Sequence, residues 1–503
     1  MKTNTTHKLT QTIKQTIKGL PCIALIAASS SAFAKNDKNN QSDFVIGETP
    51  AVQTHLDQED IEDGSIHKFD LIEQGRLIFD ARFNFLDGRG RPASTGGGAP
   101  RDPHGQPDFL RTSGPDSSSC ASCHSQPFSG GAGDFVANVF VLAQILDPVT
   151  FSIDPNFSNE RNTLGMFGAG AIEMLSREMT ADMHNIRDNA IEQAQATGQA
   201  VTVDLITKGV SFGQISVLAN GLIDPSGIEG VDWDLIIKPF HQKGAVVSLR
   251  EFTNNAMNHH HGMQTVERFG ENTDPDQDGV INELTVGDIT AITVFQASLP
   301  IPTQNIPNHP LAKQAVADGE VIFSDIGCNE CHQTELVLES RLFVEPSPYN
   351  PAGNLQQNEV ANLYTWDMTN DGQQGAKLKK FQQGAVVNAF TDLKRHNLCD
   401  EDFDHFCNEQ LTQGSILGYA DANDFTQTPY PRPTEVFLTR KLWDAGDSAP
   451  YGHRGDLSTL TEAIHFHGGD ARESRDAYFD LDQYSQDAII EFLKSMTVND
   501  QPM

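Results

Sequence analysis

Basic residues are scarce in this chain of 503: Lys and Arg number 35 against 68 Asp and Glu, a formal net charge of -33 with an isoelectric point near 4.7. That balance argues against nucleic acid or an anionic membrane surface as a partner, because both repel an acidic face. It suits a cationic partner protein, or plain solubility in a salty medium. Long apolar runs are missing as well. No segment reaches the ~18 uninterrupted apolar residues that a membrane-crossing helix needs. Cysteine is sparse, with 7 in all, so each position carries weight. The hydrophobic fraction of 38% and the charged fraction of 20% fit a soluble globular protein rich in loops. The length allows two or three domains with real cores.

What is present begins at the N-terminus. Lys2, Lys8, Lys14 and Lys18 precede the apolar run Leu20 to Ala28, which is followed by Ala32-Phe33-Ala34. This pattern predicts a cleaved signal peptide over residues 1–34, a mature chain starting at Lys35 and a periplasmic location. Cys22 opens the apolar run instead of following it, which speaks against a lipid anchor.

Four of the other cysteines fall in one pattern used twice, Cys120-Ala121-Ser122-Cys123-His124 and Cys328-Asn329-Glu330-Cys331-His332. C-x-x-C-H is the attachment pattern for c-type haem: two thiols bond the vinyl groups and the adjacent histidine ligates the iron. A redox dithiol or half of a zinc site also uses C-x-x-C. The trailing histidine in both copies, and a separation of about 200 residues where a zinc ribbon needs far less, favour two haems. Cys399 and Cys407 remain, close in sequence, and are expected to form a disulfide in an oxidising compartment.

Residues 35–66 are polar and acidic and read as a flexible arm. Helices are expected over His67 to Phe83, from Phe69, Ile72, Leu77, Ile78 and Phe79, and over Gly168 to Gln195, Thr285 to Leu299, Ala315 to Asp325 and Ser485 to Met496. Gly88 to Ser119, rich in Gly, Pro, Arg and Ser, is expected to lie as a loop over the first haem site. Residues 301–310 are a proline-rich linker. A further repeat lies deeper in each half: Pro239-Phe240-His241-Gln242-Lys243-Gly244 leads to Ser248-Leu249 as Pro450-Tyr451-Gly452-His453-Arg454-Gly455 leads to Thr459-Leu460. The expected fold is therefore mainly α, with two cytochrome c-like haem domains, 67–300 and 311–503, from an internal duplication, and long loops.

Asp274, Asp276 and Asp278 alternate ahead of Gly279, which makes them candidate calcium ligands. The twelfth position of the EF-hand template is Thr285 instead of glutamate, so a solvated acidic turn stands as the alternative. Candidates for the sixth position of the second iron are His465 and His467. For the first iron they are His259, His260 and His261, with Met257 and Met263 beside them.

The turn Pro450 to Gly455 resembles the P-Y-x-H-x-G turn of the bacterial di-haem cytochrome c peroxidase superfamily. Thr391-Asp392-Leu393 with His396, Lys441-Leu442-Trp443, His467-Gly468-Gly469-Asp470-Ala471 and the stretch Asp274 to Asp288 are similar to signatures of the di-haem oxidoreductase family within it. The resemblance covers most of the mature chain and is most specific in its last third. It implies proximal ligands His124 and His332. His467 falls where the peroxidases carry a distal methionine and the enzyme that matures methylamine dehydrogenase carries a tyrosine, which implies bis-histidine ligation of the second haem. His260 or His261 falls near the place of the peroxidases' distal glutamate, implying a catalytic acid/base or a sixth ligand. The implied activity is reduction of hydrogen peroxide at the first haem, with electrons accepted at the second from a small redox protein, a cytochrome c or a copper protein. Trp443 is a candidate relay, or an ordinary buried aromatic. The alternatives are an electron carrier with both irons six-coordinate, and an enzyme that withdraws electrons from a partner protein.

Overall fold

The computed structural model describes residues 46–90, 117–138, 160–405 and 436–498. The expected signal peptide, residues 91–116 of the expected loop, and Cys407 lie outside the described residues. Cys399 is disulfide-bonded.

The helices are α1 (Gln58–Glu62), α2 (Lys68–Asp80), α3 (Ala169–Thr197), α4 (Leu249–Ala256), α5 (Val266–Phe269), α6 (Val286–Ala297), α7 (Pro310–Asp325), α8 (Leu460–His465), α9 (Arg472–Asp480) and α10 (Gln483–Ser495). Local chemistry explains their starts. The His67 ring accepts from Phe69 N to open α2. Thr285 and Asp288 form a reciprocal capping box on α6. Pro310 occupies the first turn of α7, where its missing N–H costs nothing. On α2, Phe69 and Leu77 are exposed, and the inward stripe is Leu71, Ile72, Gly75, Ile78 and Phe79.

Two helix pairs are built on the same contact. A Cβ on Gly75 of α2 would lie 2.1 Å from Ala291 O and 2.8 Å from Phe295 Cβ of α6. A Cβ on Gly319 of α7 would lie 2.0 Å from Ala488 O and 2.9 Å from Phe492 Cβ of α10. Only glycine lets either pair of backbones approach so closely.

The expectation of a mainly α fold is overturned: 37% of the structure is helical and 16% is strand, spread over several small sheets. In chain order the strands of these sheets are β1 (Gly133–Asn138), β2 (Glu160–Thr163), β3 (Val201–Thr207), β4 (Val210–Val217), β5 (Ile223–Asp224), β6 (Thr303–Gln304), β7 (Leu336–Leu338), β8 (Leu342–Glu345), β9 (Tyr364–Asp367), β10 (Lys379–Phe381), β11 (Gly384–Val387), β12 (Arg395–Asn397), β13 (Val436–Leu438) and β14 (Met496–Thr497). The pairings β3-β4-β5, β10-β11-β7, β8-β9 and β12-β13 are antiparallel. The β3–β4 hairpin turns on Lys208 and Gly209, both with positive φ, as a two-residue hairpin requires. Its Leu205, Phe212, Ile215 and Val217 are buried against Leu175, Met179 and Met183 of α3 in one core cluster. From the two helix pairs, that core takes only Ala297, at the end of α6, among its buried residues.

Part of the expected flexible arm is also ordered, and this too is a correction. Val52, Leu56 and Ile61 are buried, Val52 N donates to Asp87 Oδ1 at 2.9 Å, and Leu56 N donates to Asp288 Oδ1 at 3.0 Å. The segment is a strap over α6, held because its apolar side chains cover that helix. In the expected linker, Thr303 and Gln304 pair with Thr497 and Met496.

A buried ion network joins α3, α4, α5 and β8. Arg250, wholly buried, donates to Glu345, Glu267 and Thr290, and Arg177 donates to Glu173 and to Val344 O.

Candidate functional site

Each C-x-x-C-H sits on a short 3-10 turn, Cys120–Ser122 and Cys328–Glu330. The turn folds each histidine back, with His124 N donating to Cys120 O and His332 N to Cys328 O, both at 3.0 Å. His124 Nδ1 then donates to Gly131 O at 3.2 Å, and His332 Nδ1 to Phe390 O at 3.0 Å. A carbonyl can only accept, so both rings carry the proton on Nδ1 and the lone pair on Nε2, the tautomer a metal ligand needs. Burial pushes both imidazoles down to about 4, which keeps them neutral. Phe79 packs on His124 with centroids 6.4 Å apart and planes at 53°; Phe323 packs on His332 at 6.3 Å and 53°.

Burial pushes the Cys120 and Cys328 thiols up to about 12. A redox dithiol needs the opposite, a stabilised thiolate. Apolar side chains surround both motifs: Phe79, Phe128, Met257 and Met263 share a core cluster with Cys120, and Phe323, Phe390, Leu442 and Ile464 share one with Cys328. Paired thiols, a neutral imidazole with Nδ1 committed, and an apolar lining fit a covalently held haem.

His467 is near enough to His332 for its charged form to lower the His332 pKa. His467 Nδ1 donates to Ala463 O at 2.7 Å, one turn back across the end of α8, and burial lowers its pKa. His465, the other candidate, is exposed and sits among the rings of Phe403, Phe466 and Phe479.

At the first site, α4 runs on into a π-helical turn, Met257–His261, ended by Gly262 at φ 68°. Such wide turns recur at functional sites. The rings of His260 and His261 on this turn lie 6.3 Å apart, tilted to each other. The charge of His260 acts on His124. His261 is buried beside the attachment cysteine: its Nδ1 donates to Ser117 O at 3.2 Å, and its Nε2 lies 3.3 Å from Cys120 Sγ.

One short stretch reaches both proximal histidines. The Arg440 charge acts on His124, and the Arg440 backbone carbonyl acts on His332. Beyond it, burial lowers Lys441 to about 8 despite its 2.8 Å contact with Asp444 Oδ2. Trp443 is buried against Gly168, where a Cβ would lie 2.2 Å from the indole. Sequence reasoning missed Arg440, although it stands one residue before Lys441-Leu442-Trp443.

The two copies of the repeated turn touch. Phe240 bridges Val246 as Tyr451 bridges Leu457, and His453 hydrogen-bonds Gln242 across the two. His396 donates to Asp392 at 2.7 Å, and with Cys331 these residues form a small polar cluster. Thr391 of the same signature donates to Thr439 O, so that signature walls the second site.

One carboxylate oxygen from each of Asp274, Asp276 and Asp278 lies within 4.8 Å of the others. Burial, then the Asp278 and Asp274 charges, push Asp276 up to about 6. Glu283, not foreseen from sequence, is buried beside them and pushed up to about 10, mainly by burial.

No protein-family model and no curated protein matches the sequence. Among solved structures, the chain is distantly similar to Kuenenia stuttgartiensis hydrazine synthase, at 13% identity and a TM-score of 0.37 over 92% of this chain and 99% of that one. It is also distantly similar to a MauG-like protein associated with microbial copper homeostasis, at 16% identity and a TM-score of 0.25 over 57% of this chain and 77% of that one. At such scores the functional reading rests on the residues themselves.

Proposed function

We propose that this chain is a di-haem c-type oxidoreductase, one haem held by Cys120, Cys123 and His124 and the other by Cys328, Cys331 and His332. The observation that supports it most is the repetition, beside two thiols in an apolar lining, of a buried imidazole with Nδ1 committed to a carbonyl. Bound there, the haems would supply reversible one-electron chemistry.

The chain's own residues suit that chemistry unequally. His467, held by Ala463 O, suits the sixth position of the second haem. His260 and His261 suit the far side of the first. The finer reading is a periplasmic peroxidase that takes electrons at the second site from a small redox protein and reduces hydrogen peroxide at the first. Each peroxide consumes two electrons and two protons and yields two waters. His260 or His261 would hand a proton to the leaving oxygen. The net charge of -33 would attract a cationic donor. Arg440 to Trp443 is the candidate stretch between the sites.

A second reading has its own support. His260 acts on His124 as His467 acts on His332, so both far sides carry a histidine, as in an electron carrier with two closed irons. EPR spectra of the full-length protein, oxidised and half-reduced, together with peroxide consumption on a reduced donor, separate the two. A high-spin component with turnover supports the peroxidase. Two low-spin signals, unchanged on half-reduction and without peroxide consumption, sink it.

No described helix is long and apolar enough to cross a membrane.

A further inference from the structure

We propose that the loop Asp274 to Gly279 binds one calcium ion through Asp274, Asp276 and Asp278, and that the bound ion fixes the segment carrying His259, His260 and His261. The proposal stands apart from the redox reading, because none of its ligands belongs to a haem site.

The loop is shaped by its own first ligand. Asp274 Oδ1 accepts from Asp278 N and Oδ2 from Gly279 N, both at 3.1 Å, and Gly279 takes a φ of 93° that favours glycine. The turn brings three carboxylates within 4.8 Å of one another. Like charges so close repel unless a cation sits among them.

Burial adds an independent sign. Asp276 is 4% exposed, and its Oδ2 is buried without a hydrogen-bond partner. A carboxylate oxygen left in that state is costly unless a metal or a proton meets it. Gln264, also 4% exposed, has a buried Oε1 without a partner. An all-oxygen donor set on a flexible loop suits calcium; magnesium demands a stricter octahedron and sheds its water reluctantly.

The connection to the histidines runs through Gln264. Its Nε2 donates to Asp276 Oδ1 at 2.5 Å and to Glu283 Oε1 at 2.8 Å, while its backbone N donates to Glu283 Oε2 at 2.7 Å. Glu283, with both oxygens on Gln264, is therefore a positioning residue. Gln264 follows His261 by three residues, and Thr265 bridges Leu284. From the other side, Gly90 N donates to Gly262 O at 2.9 Å, and a Cβ on Gly90 would lie 2.0 Å from Asp276 Oδ2. Three stretches of chain thus meet at Asp276, and one of them ends the π-helical turn.

The test uses the full-length protein, stripped with a chelator and titrated with calcium alone, with magnesium alone as the control. Calorimetry and metal analysis should give one calcium per chain and a preference over magnesium. Hydrogen exchange across residues 257–265 should slow when calcium is added. Asp276→Asn, at the buried position, and Asp274→Asn, at a half-buried one, should each weaken calcium binding at least about tenfold. Far-UV circular dichroism identifies any variant that has not folded, and the wild-type titration decides in its place. A stripped wild type that takes up no calcium at about millimolar concentration, or folded variants that bind as tightly as wild type, overturns the site. Binding that leaves exchange in 257–265 unchanged overturns the link to the histidines.

Discussion

The two C-x-x-C-H sites match on the side of the attached histidine and differ on the other. On the near side, Phe79 packs on both His124 and Phe295 as Phe323 packs on both His332 and Phe492, and the two phenylalanine–histidine contacts agree within 0.1 Å and at the same 53°. On the far side, His467 follows the short α8 and is steered by one carbonyl. Its counterpart is a wide helical turn with three histidines, one acting on His124 and one lodged beside Cys120. Attachment imposes the same requirements twice, so the near sides agree. If haems are held as proposed, whatever distinguishes the two would come from the far sides.

That contrast can be broken at the near sides first. Serine in place of Cys120 and Cys123, or of Cys328 and Cys331, should each remove one covalent haem and leave the other, measured by haem staining and pyridine haemochrome absorbance. Equal residual haem in all variants and wild type would end the haem assignment. The far sides should respond unequally. His467→Ala should turn the low-spin EPR signal of the second haem high-spin, His260→Ala should change the signal of the first, and His261→Ala should leave the signal of the second as in wild type.

Arg250→Met acts on α4, the helix that runs into the π-helical turn of the first site. It strands Glu345 and Glu267 in the interior, so unfolding free energy should fall by ~3–5 kcal/mol in urea melts. Gly75→Ala and Gly319→Ala test the shared helix contact, and each should cost about 1–3 kcal/mol by overpacking. A tolerated substitution at one and not the other would show that the crossings are not equivalent.

The smallest expected effect is a pH dependence confined to the strap over the first site. The hydrogen bond to Asp288 raises the His55 pKa above 6.5, against the opposing effect of burial. A raised folded pKa means the pair's contribution is complete below the unfolded value of about 6.5 and is lost as pH rises through the folded value. His55→Gln should flatten that part of the stability curve, measured by denaturant melts between about pH 6 and pH 9.

The parts legible in the sequence were those set by local chemistry. Thr285 with Asp288 and Pro310 announce helix starts, and the alternating aspartates mark a turn whatever fills it. The β3–β4 hairpin is legible too, in the apolar Leu205, Val210 and Phe212 spaced around Lys208-Gly209. The pairing of β7 with β11 depends on residues far apart in the chain, and no local pattern specifies it. At the sites, the motif names the proximal histidines, whereas the different surroundings of His260 and His261 depend on what packs against the π-helical turn, which composition does not encode. Arg440 and Gln264 gain their places only from what folds against them.

The π-helical winding bears on how such a site could be altered. The π-helical turn from Met257 to His261 accommodates a residue more than an ordinary helical turn would. Removing one residue there would rotate everything after it by about 100° around the helix axis. His261 would then stand where His260 acts on His124, and Gly262 where His261 meets Cys120, without any side chain being changed. Deletion and insertion, more than substitution, are the changes to which the far side of the first site is most sensitive.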